Sequence, residues 1–166
     1  MNALSMIRRC AKAQSDFRFV RGTRTITAAL RRIVEEGGDH NFVILHADDR
    51  KNYYVQFAGS RGDAIVRGEA VSNHYLEPAH MLGPKRSKAL RVLGWNPPVP
   101  GEDLNFYRDW DARSEKGRLQ MARLAVQTLV EIYGLAPRER VGFELWLDDL
   151  KMPAKVLARA STRMDD

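Results

Sequence analysis

The first periodic stretch of the chain carries its apolar residues at helical spacing. Between Thr23 and Glu36, apolar side chains recur every third or fourth position, at Ile26, Ala29, Leu30, Ile33 and Val34. This spacing places them on one side of an α-helix. Two glycines follow at 37–38, and glycine readily adopts the left-handed backbone that ends a helix. The pattern therefore predicts a helix over 23–36 with one buried face.

Three short stretches after this helix have the composition and alternation of β-strands. They cover 41–47, 53–57 and 64–71. The first is rich in β-branched and aromatic side chains, and the second alternates two kinds of side chain. Polar turns of a few residues join the three stretches, and connections this short link antiparallel neighbours. The sequence therefore predicts a three-stranded antiparallel sheet.

The second predicted strand has two unlike faces. Tyr53, Val55 and Phe57 alternate with Tyr54 and Gln56. The first three residues have the pattern of a core face. Tyr54 and Gln56 point to the opposite face, where they are either covered by a helix or available to a ligand.

The rest of the chain predicts two more helices and a fourth strand. The helices cover 84–93 and 113–133, and the strand covers 141–147. Between the helices lies a proline-rich linker, in which each ring fixes its own φ angle. The aromatic segment 105–110 then forms either a packed clamp or a short edge segment.

These elements indicate an α+β fold with a three- to four-stranded antiparallel sheet flanked by helices. The domain itself is expected to span 22–134. A basic and flexible leader precedes it at 1–21. An extension follows at 135–166, with the possible strand and then a helical or frayed tail.

Positive charge is concentrated at the start of the chain. Of the formal net charge of +6, the part through Arg32 contains eight basic residues and one acid, Asp16, so the remainder has a net charge of −1. A near-neutral domain argues against a broad phosphate-binding face, because such faces need clustered cations. Residues 8–32 still make nucleic acid a candidate partner.

The cysteine content and hydropathy bear on the compartment. Cys10 is the only cysteine, which excludes an intramolecular disulfide. No apolar run approaches the length of a membrane span. These features predict a cytoplasmic protein, although the Arg-rich start also matches an organelle transit peptide.

A search for catalytic and cofactor motifs finds no candidate. The sequence lacks a Walker-type phosphate loop, a dinucleotide-binding GxGxxG motif and a GxSxG nucleophile elbow. The four histidines, His40, His46, His74 and His80, form no zinc-protease pair. We therefore expect no enzyme activity, no catalytic residues, no bound metal and no cofactor.

Five segments, taken in order, resemble a known family. They are YYVQF (53–57), EAVSNHYL (69–76), LGWNPP (93–98), NFYRDW (105–110) and the helix end IYG (132–134). Together they resemble the TY-Chap domain, a bacterial family that joins type III secretion chaperones to YbjN-like proteins. The resemblance implies a secretion-chaperone-like arrangement of helices around an antiparallel sheet. It also implies a peptide or protein ligand and no catalysis.

The resemblance assigns partner-binding roles to Tyr54, Gln56, Glu69, Asn73 and Trp95. Two of them also have simpler explanations. Trp95 follows a glycine stop and precedes two prolines, a setting in which a large aromatic fills the core. Asn73 is typical of a residue that caps a turn.

The leading hypothesis is thus a non-catalytic, chaperone-like module that binds a peptide or protein, with a homodimer as a further candidate assembly. If 141–147 joins the sheet, it occupies an edge at which a peptide could add as a strand. If it does not, that edge stays open for a partner or for self-association. An uncharacterised enzyme is the third hypothesis, because fold alone does not determine function.

Overall fold

A computed structural model describes residues 23–136 and 141–148 in full, together with the backbone of 18–20. The described residues form three α-helices and six β-strands. In chain order these are β1 (Arg18–Val20), α1 (Thr23–Glu35), β2 (Asn41–Asp48), β3 (Tyr53–Gly59), β4 (Ile65–Ala70), α2 (Pro84–Val92), β5 (Phe106–Asp111), α3 (Glu115–Glu131) and β6 (Val141–Trp146). Two short 3₁₀ turns, Asn73–Tyr75 and Pro78–His80, lie between β4 and α2.

All six strands pair antiparallel in one sheet, in the order β1, β6, β2, β3, β4, β5. The α+β fold is therefore confirmed, but the predicted number of three to four strands is wrong. Beyond the four predicted strands, β5 pairs with β4 along its whole length. The three residues of β1 add a further edge and fall within the predicted leader.

One face of the sheet carries the hydrophobic core. Val43 lies opposite Phe57, and Leu45 lies opposite both Val55 and Phe143. All five of these side chains are essentially buried. The helices α1 and α3 pack side by side and both contact β2 and β3. The predicted core face of the second strand is thus confirmed.

The predicted helix at 23–36 is confirmed within one residue, and its five apolar residues are all buried. Asn41 holds the end of this helix. Its amide nitrogen donates to the carbonyl oxygens of Ile33 at 2.9 Å, Glu36 at 2.9 Å and Gly38 at 3.1 Å. Gly37 has φ of 70°, the left-handed conformation that glycine accepts without strain. The double glycine therefore ends α1 as the sequence predicts.

The predicted strand at 141–147 joins the sheet as β6 and pairs with the outer edge of β2. The first of the two alternatives for this segment therefore holds, and β2 has no free edge there. The tail after residue 148 and the leader before residue 18 lie outside the described residues. Among the residues that are described, no helix has the length and apolarity needed to cross a membrane.

Candidate functional site

A cleft of about 400 Å³ opens beyond the C-terminal end of β4. Its first wall is the turn at 72–74, and its second is α2, through Ser87 and Arg91. The third wall combines the loop before β5 with the first residue of that strand: Pro98, Pro100, Leu104 and Phe106. Apolar surface, hydroxyl and amide groups and one guanidinium group therefore converge on the cleft.

The loop wall is held at its start and at its tip by backbone hydrogen bonds. Asn96 and Tyr107 exchange two of them, at 2.8 and 3.1 Å, across the outer edge of β5. Val99 donates to the carbonyl oxygen of Asp103 at 2.7 Å, which closes the loop tip. Prolines also fix φ within this loop, which narrows the range of backbone conformations that it can adopt.

An ion-pair cluster ties the same loop to the sheet. The guanidinium of Arg67 contacts Asp103 at 2.7 Å and makes two hydrogen bonds to Asp109, at 2.8 and 2.9 Å. It also lies over the ring of Tyr107, 4.8 Å from the centroid. The hydrogen bond from Arg67 lowers the pKa of Asp109 below its ordinary value. The loop is thus anchored to β4 and β5 by charge-assisted bonds.

Ser72 connects the turn to the loop. Its hydroxyl donates to the carbonyl oxygen of Leu104 and accepts from the backbone amide of His74 at 3.1 Å. Its own backbone amide donates to the side-chain oxygen of Asn105 at 3.0 Å. The serine hydroxyl is therefore committed to a carbonyl and is not directed at a catalytic base.

Hydrogen bonds through Asn105 connect Ser72 with three of the residues that the resemblance assigns to partner binding. Its amide nitrogen donates to Glu69 at 3.0 Å and to the hydroxyl of Tyr54 at 3.3 Å. Gln56 donates to the same Glu69 oxygen at 2.7 Å. The structure thus brings Tyr54, Gln56 and Glu69 together, in a network that lies behind the cleft wall.

The exposure of these residues answers the question that the sequence leaves open. Gln56 pairs with Glu69 across the strands, on the sheet face opposite to Val55 and Phe57. Tyr54 is 2% exposed and Gln56 is 7% exposed. Neither side chain is therefore available as an open ligand surface. Their contacts instead hold Asn105, and through it Ser72.

Asn73 lies in the cleft and also fastens the chain behind it. Its side-chain oxygen accepts from the backbone amide of Leu82 at 2.6 Å, and its amide donates to the Leu82 carbonyl at 3.0 Å. This two-point contact spans nine residues, so it does more than cap a local turn. It sets the path of the chain from the turn at 72–74 into α2.

Trp95 lies apart from the network and holds α2. Its ring is 2% exposed, and its indole nitrogen donates to the hydroxyl of Thr128 at 2.9 Å. Thr128 in turn donates to the carbonyl oxygen of Leu124 inside α3. Trp95 therefore fills the core, as the simpler explanation proposes, and fixes the C-terminal end of α2 against α3.

The last of the five segments holds the backbone immediately before the turn that lines the cleft. Tyr133 donates its hydroxyl to the carbonyl oxygen of Val71 at 2.8 Å and stacks on Tyr53. Burial raises the pKa of this hydroxyl well above its ordinary value, so it remains a donor. Val71 directly precedes Ser72, and the contact therefore positions the start of the turn.

Sequence reasoning missed the residues that form the open surface, chiefly Ser87, Arg91, Pro100 and Leu104. They fall outside the five segments, or between them, and no local pattern marks them as neighbours. The sequence held only an indirect signal for the cleft, namely the segments on which the resemblance rests. Three of them contribute Ser72, Asn73, Pro98 and Phe106 to the same cleft. Among the residues described, no three His, Cys, Asp or Glu side chains come together as a metal site would require.

Comparison with known proteins identifies a family for most of the chain. Residues 24–141 match the family model TY-Chap3, described as T3SS (YopN, CesT) and YbjN peptide-binding chaperone 3. No curated protein and no solved structure gives a significant match. The family match covers well over half of the chain and includes every wall of the cleft. The chain therefore belongs to the TY-Chap3 family of peptide-binding chaperone domains.

Proposed function

We propose that this protein is a non-catalytic, chaperone-like module that binds an extended segment of another protein in the cleft between the turn at 72–74, α2 and the proline-rich loop. One observation carries the proposal: the family is described as peptide-binding, and three of the five segments on which the resemblance rests contribute residues to this cleft. The compartment that we propose is the cytoplasm, because a chain with Cys10 alone needs no oxidising environment.

The size and rigidity of the cleft suit such a ligand. Its volume of about 400 Å³ lies within the ordinary range of ligand sites. Its loop wall is closed by backbone hydrogen bonds and tied to the sheet by Arg67. Walls that are already ordered lose little conformational entropy when a ligand binds. A peptide that lies across Pro98 and Leu104 therefore meets a preformed surface.

The five residues that the resemblance assigns to binding take two roles in this proposal. Asn73 lines the cleft and can contact the ligand. Tyr54, Gln56, Glu69 and Trp95 act indirectly, because they are buried or bonded behind the walls. We propose that these four position the surface and that substitutions in them weaken binding through the shape of the cleft.

The test is a substitution that fills the cleft. Peptides that bind the full chain are first selected from a random phage-displayed library, and their affinities are then measured. Ser87→Trp places an indole in the cleft from a half-exposed position on α2. We expect affinity to fall by more than about tenfold, because the ring occupies the space that the peptide needs.

Gln127→Trp is the matched control, since Gln127 is exposed on α3 and does not line the cleft. It adds the same ring to a helix surface elsewhere and should leave affinity unchanged. Equal affinity of the Ser87→Trp variant and the parent chain, with both folded, would show that the peptide binds at another place.

Two other partners remain predictions. A second copy of the chain could occupy the same cleft, and analytical ultracentrifugation at several concentrations would detect it. Nucleic acid is predicted to bind to residues 8–32. Of these residues, the structure describes the backbone of 18–20 and all of 23–32. Loss of nucleic-acid affinity on neutralising Arg24, Arg31 and Arg32 would support that alternative.

A further inference from the structure

The cleft is unbalanced in charge. Arg91 and His74 are among its nine lining residues, and none of the nine is acidic. The helix that forms one wall, α2, has the sequence PKRSKALRV, with four basic residues and no acid. Lys88 lies three positions before Arg91, so the two are neighbours on the helix surface. Of the four cations on α2, Arg91 lines the cleft, and Lys88 lies beside it on the helix surface.

The described part of the chain supplies no acid to neutralise this helix. No ion pair involves Lys85, Arg86, Lys88 or Arg91 within 23–136 and 141–148. Other cations do have partners there, such as Arg31 with Glu35 and Lys51 with Asp48. Within the part of the chain that the structure describes, the positive charge on α2 is therefore not paired with an acid.

The acids nearest to the cleft in sequence face other contacts or solvent. Asp103 belongs to the loop wall, but its carboxylate is bound by Arg67 at 2.7 Å. Glu102 is exposed at the tip of the loop and does not line the cleft. Glu77 is exposed in the turn before α2 and does not line it either. None of these three carboxylates, which lie in the described part of the chain, lines the cleft beside Arg91.

We infer that the segment bound in the cleft is acidic, with Asp or Glu side chains beside Arg91 and Lys88 and apolar side chains against Pro98, Pro100 and Leu104. This inference rests on the proposed function and names the chemical class of its ligand. An extended chain points successive side chains in opposite directions. A segment that alternates acidic and apolar residues therefore meets the cationic helix on one side and the loop on the other.

A nucleic-acid backbone is also anionic, but it fits the cleft less well. Phosphate binding draws on several clustered cations and on aromatic or base-reading groups. The wall opposite the cations is made of Pro98, Pro100, Leu104 and Phe106, none of which is charged, and its aromatic ring, Phe106, is 5% exposed and therefore offers little stacking surface. An apolar side chain satisfies this wall, and a phosphate does not.

Three short synthetic peptides with a fluorescent label test the inference on the full chain. One alternates Glu and Leu, one alternates Gln and Leu, and one alternates Lys and Leu. We expect the Glu peptide to bind most tightly in a fluorescence anisotropy titration, and its affinity to fall as salt is added. Replacing Arg91 by glutamine should reduce its affinity by about three- to tenfold, because a charge-assisted contact is lost.

Arg61→Gln is the control, because Arg61 is exposed in the turn before β4, whereas the cleft lies beyond the other end of that strand. It removes the same charge and should leave the affinity of the Glu peptide unchanged. The Gln peptide should bind equally well to the parent chain and to the Arg91→Gln variant.

The outcomes separate the inference from the proposed function. If the Glu and Gln peptides bind equally and Ser87→Trp weakens both, the cleft binds peptides without a preference for acids, and the inference is overturned. If the Lys peptide binds most tightly, the inference is also overturned. A single-stranded oligonucleotide that binds more tightly than the Glu peptide, with the same loss in Arg91→Gln, would assign the cationic wall to nucleic acid.

Discussion

Two asparagine side chains hold the walls of the cleft in place. Asn105 accepts from Ser72 and donates to Glu69 and Tyr54, which uses both ends of its amide. Asn73 likewise uses both ends, on the two backbone groups of Leu82. Such contacts fix the position of a loop more narrowly than apolar packing does, because hydrogen bonds are directional.

Asn73→Ala tests this role at the scale of one residue. The substitution removes two hydrogen bonds from the backbone of Leu82, whose side chain is 4% exposed. We expect the free energy of unfolding to fall by about 1–3 kcal/mol, since these polar groups lose their partner. Amide hydrogen exchange should show faster exchange at Leu82.

Asn73→Asp is the matched control, because it keeps an oxygen that can accept from the Leu82 amide. Protection of that amide should therefore survive in the aspartate variant and not in the alanine variant. Unchanged protection of Leu82 in Asn73→Ala would mean that the clamp does not hold the turn in solution.

Residue periodicity predicted which way side chains point, and it could not predict which residues meet. The alternation in β3 placed Tyr54 and Gln56 on the face opposite to Val55. Their common neighbour, Asn105, lies about fifty positions away from Tyr54, and only the tertiary fold brings the two together. The cleft was missed for the same reason, since its walls come from three separate segments.

At the scale of elements, β6 is fastened to β2 by more than its backbone pairing. The ring of Phe42 stacks on Trp146, with centroids 5.6 Å apart. The two ring nitrogens of His46 lie 2.9 Å from Asp49 and 3.1 Å from Glu144. The hydrogen bond from His46 lowers the pKa of Glu144. The segment 141–146 of the predicted extension is thus an integral strand of the sheet.

Glu144→Gln tests the fastening of β6 through its pH dependence. A carboxyl group with a lowered pKa stabilises the fold above its unfolded pKa, and this contribution is lost as pH falls through the lowered value. We expect the variant to be less stable than the parent chain by about 1 kcal/mol at neutral pH. The difference should shrink as pH falls well below the ordinary value of 4.5.

Chemical denaturation of both chains across this pH range measures the difference. Asp49→Asn is the control, because the Asp49 carboxylate is 63% exposed, and its removal should change stability less. A constant difference between Glu144→Gln and the parent chain at every pH would contradict a role for the ionised carboxylate.

The elements that the sequence predicted well are those with strong internal patterns. The helices α1 and α3 and the strand β3 each have apolar residues at a clear period, and their bounds agree within a few residues. The strand β5 was left undecided because Arg108, Asp109 and Asp111 interrupt its apolar pattern. Its stability comes from pairing with β4, which the local sequence does not encode.

At the scale of the whole molecule, the proposed binding cleft lies at one end of the sheet. The helices α1 and α3 pack on the core face of the sheet, and β6 pairs with the edge of β2. The cleft and the cationic helix α2 lie together beyond the end of β4. Net charge alone misleads here, since a near-neutral domain still carries four basic residues and no acid on α2.

Amide chemical-shift mapping shows whether a peptide binds in this cleft. The full chain, labelled with ¹⁵N, is titrated with a peptide selected from the random library. We predict the largest shifts at 72–74, 87–91 and 98–106, with small shifts in α1 and β6. Shifts that cluster along β2 and β6, while residues around the cleft stay unchanged, would contradict the account.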